Sequence, residues 1–166
     1  MTGMNILAAS ALTLREEFDR AFATLPSQTD SGARQLLAIR AGGRAYALRL
    51  DEIRGLQVDR RVQSLPSHLP ELLGLTGVRG QAVPVFDLAA LLGQPPQRAP
   101  RWLGLAAGRH NAAFAFEQFE AQVAVRQEDF LDGAVRIGDT LCALVSLPAL
   151  VDDLERRCQR LRSIKP

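Results

Sequence analysis

The sequence predicts a mostly β fold of two small barrels with a helix at each end. Three observations carry this expectation. Short alternating segments recur along the chain, divided by turns such as Gly42-Gly43, Arg79-Gly80-Gln81 and Gly138-Asp139. The stretch Gly80–Leu92 is echoed at constant offset by Asp139–Val151; in both, an apolar strand leads through a capping side chain (Asp87, Ser146) into a short apolar helix. Between the copies lies a stiff connector, Gln94–Pro100, holding three prolines.

At 166 residues the chain suits one domain or two small subdomains sharing a core. Residues 1–34 read as an N-terminal helical arm and linker. Thr13-Leu14-Arg15-Glu16 is a capping box, and Leu14, Phe18, Phe22 and Leu25 share one helical face before Pro26 stops it. The arm either lies on the chain's own barrel or docks a partner.

Residues 35–93 form the expected first subdomain. Gln35–Ile39 is a strand. Arg44–Leu50 alternates, with Tyr46, Leu48 and Leu50 on one face and Ala45, Ala47 and Arg49 on the other. Ile53, Leu56 and Val58 mark another extended piece, closed by Leu65-Pro66. Leu75–Val78 and Ala82–Phe86 pair across Arg79-Gly80-Gln81, and Pro84, which has no N–H, belongs at an edge or bulge. Asp87 caps the turn Leu88–Leu92, and Gly93 stops it. Gly55 and Gly80 are expected to serve backbone geometry.

Residues 102–166, after the connector at 94–101, form the expected second subdomain. Leu103–Ala107, Ala112–Phe116, Phe119–Val125, Val135–Ile137 and Leu141–Val145 are its strands. Phe114, Phe116 and Phe119 read as core. Leu147-Pro148 opens a C-terminal helix with Leu150, Val151 and Leu154 on one face. Arg156, Arg157, Arg160 and Arg162 there oppose the negative end of the helix dipole and read as a solvated face.

Composition narrows the function. Net charge is +2, and 19 arginines with only Lys165 beside them are dispersed rather than clustered, which argues against a nucleic-acid partner. No apolar run reaches the roughly 18 residues of a membrane span, and Met1–Leu12 lacks the form of a secretory signal. The expectation is a cytoplasmic protein without direct membrane insertion. Cys142 and Cys158 have no Cys or His neighbour at ligand spacing, so no metal and no disulfide are expected. No glycine-rich phosphate loop precedes a helix. His68 and His110 stand in turns without a nucleophile elbow nearby. No catalytic residue, metal or cofactor is therefore assigned. A deep pocket placing either histidine beside a carboxylate would revive an enzyme reading, and a clustered basic face with exposed aromatics would favour a small barrel that binds nucleic acid or a small ligand.

Gly74–Gly93 is dense in folding signals and poor in reactive groups. It resembles the CheW-like domain of bacterial chemosensory coupling proteins, through Val78-Arg79-Gly80, Val83-Pro84-Val85-Phe86, Asp87-Leu88 and Leu91-Leu92-Gly93. Upstream, Tyr46-Ala47-Leu48 and Leu50-Asp51-Glu52-Ile53-Arg54 are similar to the family's second strand and the Glu-Ile after it. The likeness covers residues 35–93 well and 102–152 weakly. In the second half Phe116-Glu117 stands where Val-Asp often follows the strand, Ser146-Leu147 replaces Asp-Leu, and Phe130–Gly138 is short. Gly77 replaces a common Asn.

The resemblance implies two SH3-like barrels and a scaffold without catalysis. Such proteins bridge the cytoplasmic tip of a chemoreceptor (a methyl-accepting chemotaxis protein) to the regulatory domain of a CheA-type histidine kinase, at membrane-associated receptor arrays. Receptor binding is expected between the barrels and kinase binding at barrel ends. An accessory protein of a pathway controlling pili, gliding or biofilm is the alternative. Glu52 and Arg79 match the charged positions of the motif. They read either as a pair facing the receptor groove or as a bridge between two strands. Leu50, Val78 and Val83 are candidates for an apolar partner groove, against the plainer reading of core packing.

Overall fold

A computed structural model describes residues 32–96 and 100–163. The helical arm expected at residues 13–25 lies outside them. Eleven strands form two sheets among the described residues. In chain order they are β1 (Ala33–Ala41), β2 (Arg44–Arg49), β3 (Ile53–Val58), β4 (Leu72–Val78), β5 (Gln81–Asp87), β6 (Trp102–Ala106), β7 (Ala113–Phe116), β8 (Gln118–Arg126), β9 (Phe130–Leu131), β10 (Ala134–Ile137) and β11 (Thr140–Val145). Helix α1 (Leu88–Leu91) follows β5, and α2 (Leu147–Ser163) follows β11.

The hairpin turns form where the glycines require them. Gly42 and Gly43 have φ of 58° and 77°, and Arg79 and Gly80 have φ of 50° and 76°. Positive φ at both turn positions matches the right-handed twist of the flanking strands. Gly80 thus adopts the geometry expected of it. Gly55 does not: its φ is not positive, and an added Cβ would meet only Leu105 Cδ1 at an ordinary 3.7 Å. It sits where the β3–β6 register shifts.

Strand pairing departs from the expected division at the connector. One sheet has the order β8-β1-β2-β11-β10-β9, the other β3-β6-β7-β5-β4. The first therefore combines the opening hairpin of residues 33–49 with the closing strands of residues 118–145. The second combines residues 53–87 with the hairpin at 102–116. Each sheet takes one hairpin from one half of the chain and its remaining strands from the other. Four pairs join the halves: the antiparallel β1–β8 and β3–β6, and the parallel β2–β11 and β5–β7. The halves 35–93 and 102–166 carry the echoed stretches Gly80–Leu92 and Asp139–Val151, but their strands interleave in both sheets.

The alternation read from the sequence holds, but both faces of the central strands are buried. In the first sheet Leu36, Ala47, Val125, Val135 and Cys142 fill one interior. In the second, Val78, Val83, Val85, Leu103, Leu105, Ala113 and Ala115 fill another. The intervening residues, among them Leu37, Ile39, Tyr46, Leu48, Phe86, Phe114 and Phe116, join α1 and α2 in a third and larger cluster between the sheets. Phe114 and Phe116 are fully buried, and half-buried Phe119 stacks on Trp102 with ring centroids 5.4 Å apart.

The second sheet is closed by a chain crossing. Beyond β3, Gln63 exchanges backbone hydrogen bonds with Leu75 at 2.7 and 2.9 Å, and Thr76 Oγ1 donates to the Arg61 carbonyl at 2.8 Å. Gly74 permits this approach. Its φ is +148°, and a Cβ there would fall 2.0 Å from the Gln63 carbonyl oxygen. Pro84 lies on an interior strand rather than an edge. It is tolerated because β7 pairs only with Val85–Asp87, so Pro84 stands beyond the last rung on that side.

Candidate partner-binding surfaces

The two copies of the strand–cap–helix unit solve the same problem differently. The first N–H groups of a helix have no intrahelical acceptor. Asp87, 1% exposed, caps α1 itself, its Oδ1 accepting from Ala89 N at 3.0 Å and Ala90 N at 3.4 Å. In the second copy Ser146 Oγ accepts from Ala149 N at a marginal 3.5 Å. The shortfall is met from the other half of the chain: Glu52 Oε2 accepts from Leu147 N at 2.8 Å. Glu52 lies in the 3-10 turn Leu50–Glu52 between β2 and β3, and its own carbonyl accepts from Ala107 N at 2.8 Å. One residue thus ties the crossing between the sheets to β6 and to α2.

Burial pushes the Glu52 carboxyl above its usual range, and Asp51 adds to the rise; the Leu147 hydrogen bond and Arg49 oppose it. Glu52 therefore does not pair with Arg79. The expected pair is replaced by a helix clamp on one side and a free-standing arginine on the other. Arg79 is exposed at the tip of the β4–β5 hairpin and enters no ion pair among the described residues. It lines a groove of about 230 Å³ with Arg54, Arg60 and Gln57, floored by Val78 and Leu105. Among the described residues no carboxylate and no aromatic ring lines this groove. Two of its arginines are held: Arg54 Nη2 donates to Asn111 Oδ1 at 2.9 Å, and Arg60 Nε to Gln57 Oε1 at 2.8 Å.

The apolar candidates divide. Val83 is 0% exposed inside the second sheet and lines no surface. Val78 is 8% exposed and belongs to the same interior, reaching the surface only as the floor below Arg79. Leu50 is half-buried at the border of the inter-sheet cluster. For Val78 and Val83 the burial agrees with the plainer reading of core packing.

A second groove, of about 340 Å³, runs between α2 and the β5–β7 junction. His110 Nδ1 lies 3.0 Å from Glu155 Oε1 there. This is the juxtaposition that would favour an enzyme. Cys158 borders the same groove, but no hydrogen bond links it to His110 among the described residues, so histidine and thiol do not form an activated pair. Arg157, expected on a solvated face, instead reaches Glu71 with both contacts under 3 Å, at 2.8 and 2.9 Å. Glu71 is 13% exposed at its side chain, so this pair fastens the middle of α2 to the start of β4.

A model of the CheW-like domain family matches residues 35–155. A protein named "Probable chemotaxis protein CheW" from Rhizobium etli is 30% identical over 67 residues, which is 40% of this chain and 43% of that protein. The match thus spans less than half of that relative's length. The crystal structure of scaffolding protein TtCheW from Thermoanaerobacter tengcongensis is similar with a TM-score of 0.63 at 14% identity, covering 71% of this chain and 92% of that one. At that identity the likeness is one of fold.

Proposed function

Because this chain belongs to the CheW-like domain family, we propose that it is a non-catalytic scaffold coupling chemoreceptors to a CheA-type histidine kinase in chemosensory signalling. It would work in the cytoplasm at membrane-associated receptor arrays. A relative named for chemotaxis and a scaffolding protein of the same fold support this reading. The observation that carries it to particular residues is Arg79. A guanidinium on a rigid two-residue turn, with no ion-pair partner among the described residues, presents directed donors to an incoming carboxylate or carbonyl. Val78 and Leu105 give an apolar floor beneath it.

Glu52 takes a positioning role in this reading. It holds α2 against the sheet crossing and leaves Leu50 at the border of the inter-sheet cluster, where a receptor segment would arrive. No aromatic ring lines the Arg79 groove among the described residues, which disfavours a nucleic-acid surface, since such surfaces usually stack bases on rings.

The test is co-purification of the receptor cytoplasmic fragment and the kinase with Arg79→Ala. Retention of at least one partner should fall about tenfold or more while the melting temperature stays near wild type. Unchanged retention of both, or a large thermal loss, would remove Arg79 from the interface.

A further inference from the structure

The groove between α2 and the β5–β7 junction is built for a helix, and we propose that it docks an amphipathic helical segment of a partner protein that sets carboxylates beside an apolar stripe. The inference does not depend on the role given to Arg79.

The shape of the groove comes first. Its α2 wall runs from Val151 through Leu154 and Cys158 to Arg162. From Val151 to Arg162 the helix makes eleven steps and rises roughly 16 Å, or about three turns. That length suits a polypeptide segment better than a compact metabolite. The opposite wall is Pro84 and Phe86 of β5 with the turn before β7.

The opposite wall then excludes an extended strand. Pro84 has no N–H to offer. The Ala82 carbonyl, on the same side of β5, already accepts from Asn111 Nδ2 at 3.0 Å. The strand edge facing the groove has no free rung for a ladder, so main-chain addition is blocked. Recognition must use side chains, as when a helix lays its apolar face in a groove. Phe86, Val151 and Leu154 are core residues that back the groove, and half-buried Pro84 and Cys158 present the apolar surface above them.

Charge fixes the chemistry of the occupant. Among the described residues that line the groove Glu155 is the only carboxylate, and His110 already holds it. Arg109 and Arg162 are both exposed and enter no ion pair among the described residues. The rim is therefore in surplus of positive charge, and acidic residues on the visiting helix complement it.

The experiment uses an 18-residue synthetic helix with leucines at three- and four-residue spacing and glutamates beside them. Two counterparts carry lysine for glutamate, or serine for leucine. Binding to the full chain is followed by two-dimensional amide NMR. The expected result is saturable shifts at residues 84–86, 109–112 and 151–162 for the Leu/Glu helix. Both counterparts, and the Arg109→Glu/Arg162→Glu double variant, should bind at least tenfold more weakly. Because both arginines are exposed, the variant should keep the wild-type amide pattern elsewhere. If the Leu/Glu helix gives no saturable shifts at millimolar concentration, the proposal fails. It also fails if shifts centre on the Arg54/Arg79 groove, or if the serine counterpart binds equally well.

Discussion

Removing the Glu52 carboxylate tests how much of α2 is held from the far half of the chain. In Glu52→Ala the Leu147 N–H loses its 2.8 Å acceptor, and Ser146 Oγ, already 3.5 Å from Ala149 N, does not replace it. A hydrogen bond to a charged group contributes about 1.5–3 kcal/mol net. Part of that is offset in the wild type, because burial disfavours the charge. We expect a loss of about 2 kcal/mol in chemical denaturation, and a midpoint lower by about 4–8 °C for a chain of this size. Glu52→Gln keeps an acceptor and removes the buried charge, so it should stay near wild type. The two variants also differ in pH dependence. The folded protein holds the Glu52 proton more tightly than the unfolded chain, since the folded carboxyl lies above its ordinary range. Wild-type stability should therefore fall as pH rises from that ordinary range through the raised folded value, and Glu52→Gln should lack this component. A Gln variant as unstable as Ala would show that charge, not acceptor geometry, holds the helix. A silent Ala variant would refute the clamp altogether.

Two further perturbations separate the glycines and the thiols. Gly74→Ala places a Cβ against the Gln63 carbonyl and should cost about 2–4 kcal/mol in urea unfolding, whereas Gly55→Ala, with open geometry, should change stability by no more than about 0.5 kcal/mol; equal effects would mean the sheet closure yields freely. Burial pushes the Cys142 thiol up, with Glu120 adding to it, so a maleimide should label half-buried Cys158 well before Cys142 in the folded protein, as followed by intact mass; the reverse order would contradict the packing around Cys142.

Much of the fold is legible in the chain because turn chemistry and two-residue alternation are local. Gly42-Gly43 and Arg79-Gly80 mark their hairpins, Asp87 marks its cap, and the echo at 139–151 marks the second strand–helix unit. What alternation does not encode is the neighbour. Nothing in Arg44–Arg49 states that β11, nearly the whole length of the domain away, will lie beside it in parallel. Hence the chain divides at its prolines in sequence but not in space. The site was misread for the same reason. Glu52 and Arg79 read as a pair because they match the charged positions of the family motif, yet no ion pair joins them among the described residues. The acceptor need at Leu147, 95 residues from Glu52, becomes visible only when the weak cap at Ser146 is set beside the strong one at Asp87. The turn that places Arg79 is local, and Arg79-Gly80 marks it in the sequence.

The interleaving of the sheets also bears on how the protein is made. The β1–β2 hairpin leaves the ribosome about 90 residues ahead of its parallel neighbour, residues 140–145. Until then Tyr46 and Leu48 lack their covering strand. Pairings so distant in sequence close slowly, and a nascent chain waits with apolar surface exposed. The rate-limiting event in reaching the native state should be the arrival of β11, and the same late strand carries α2 with it. A chain truncated before β11 would thus be caught by chaperones or proteases rather than persist as a folded half.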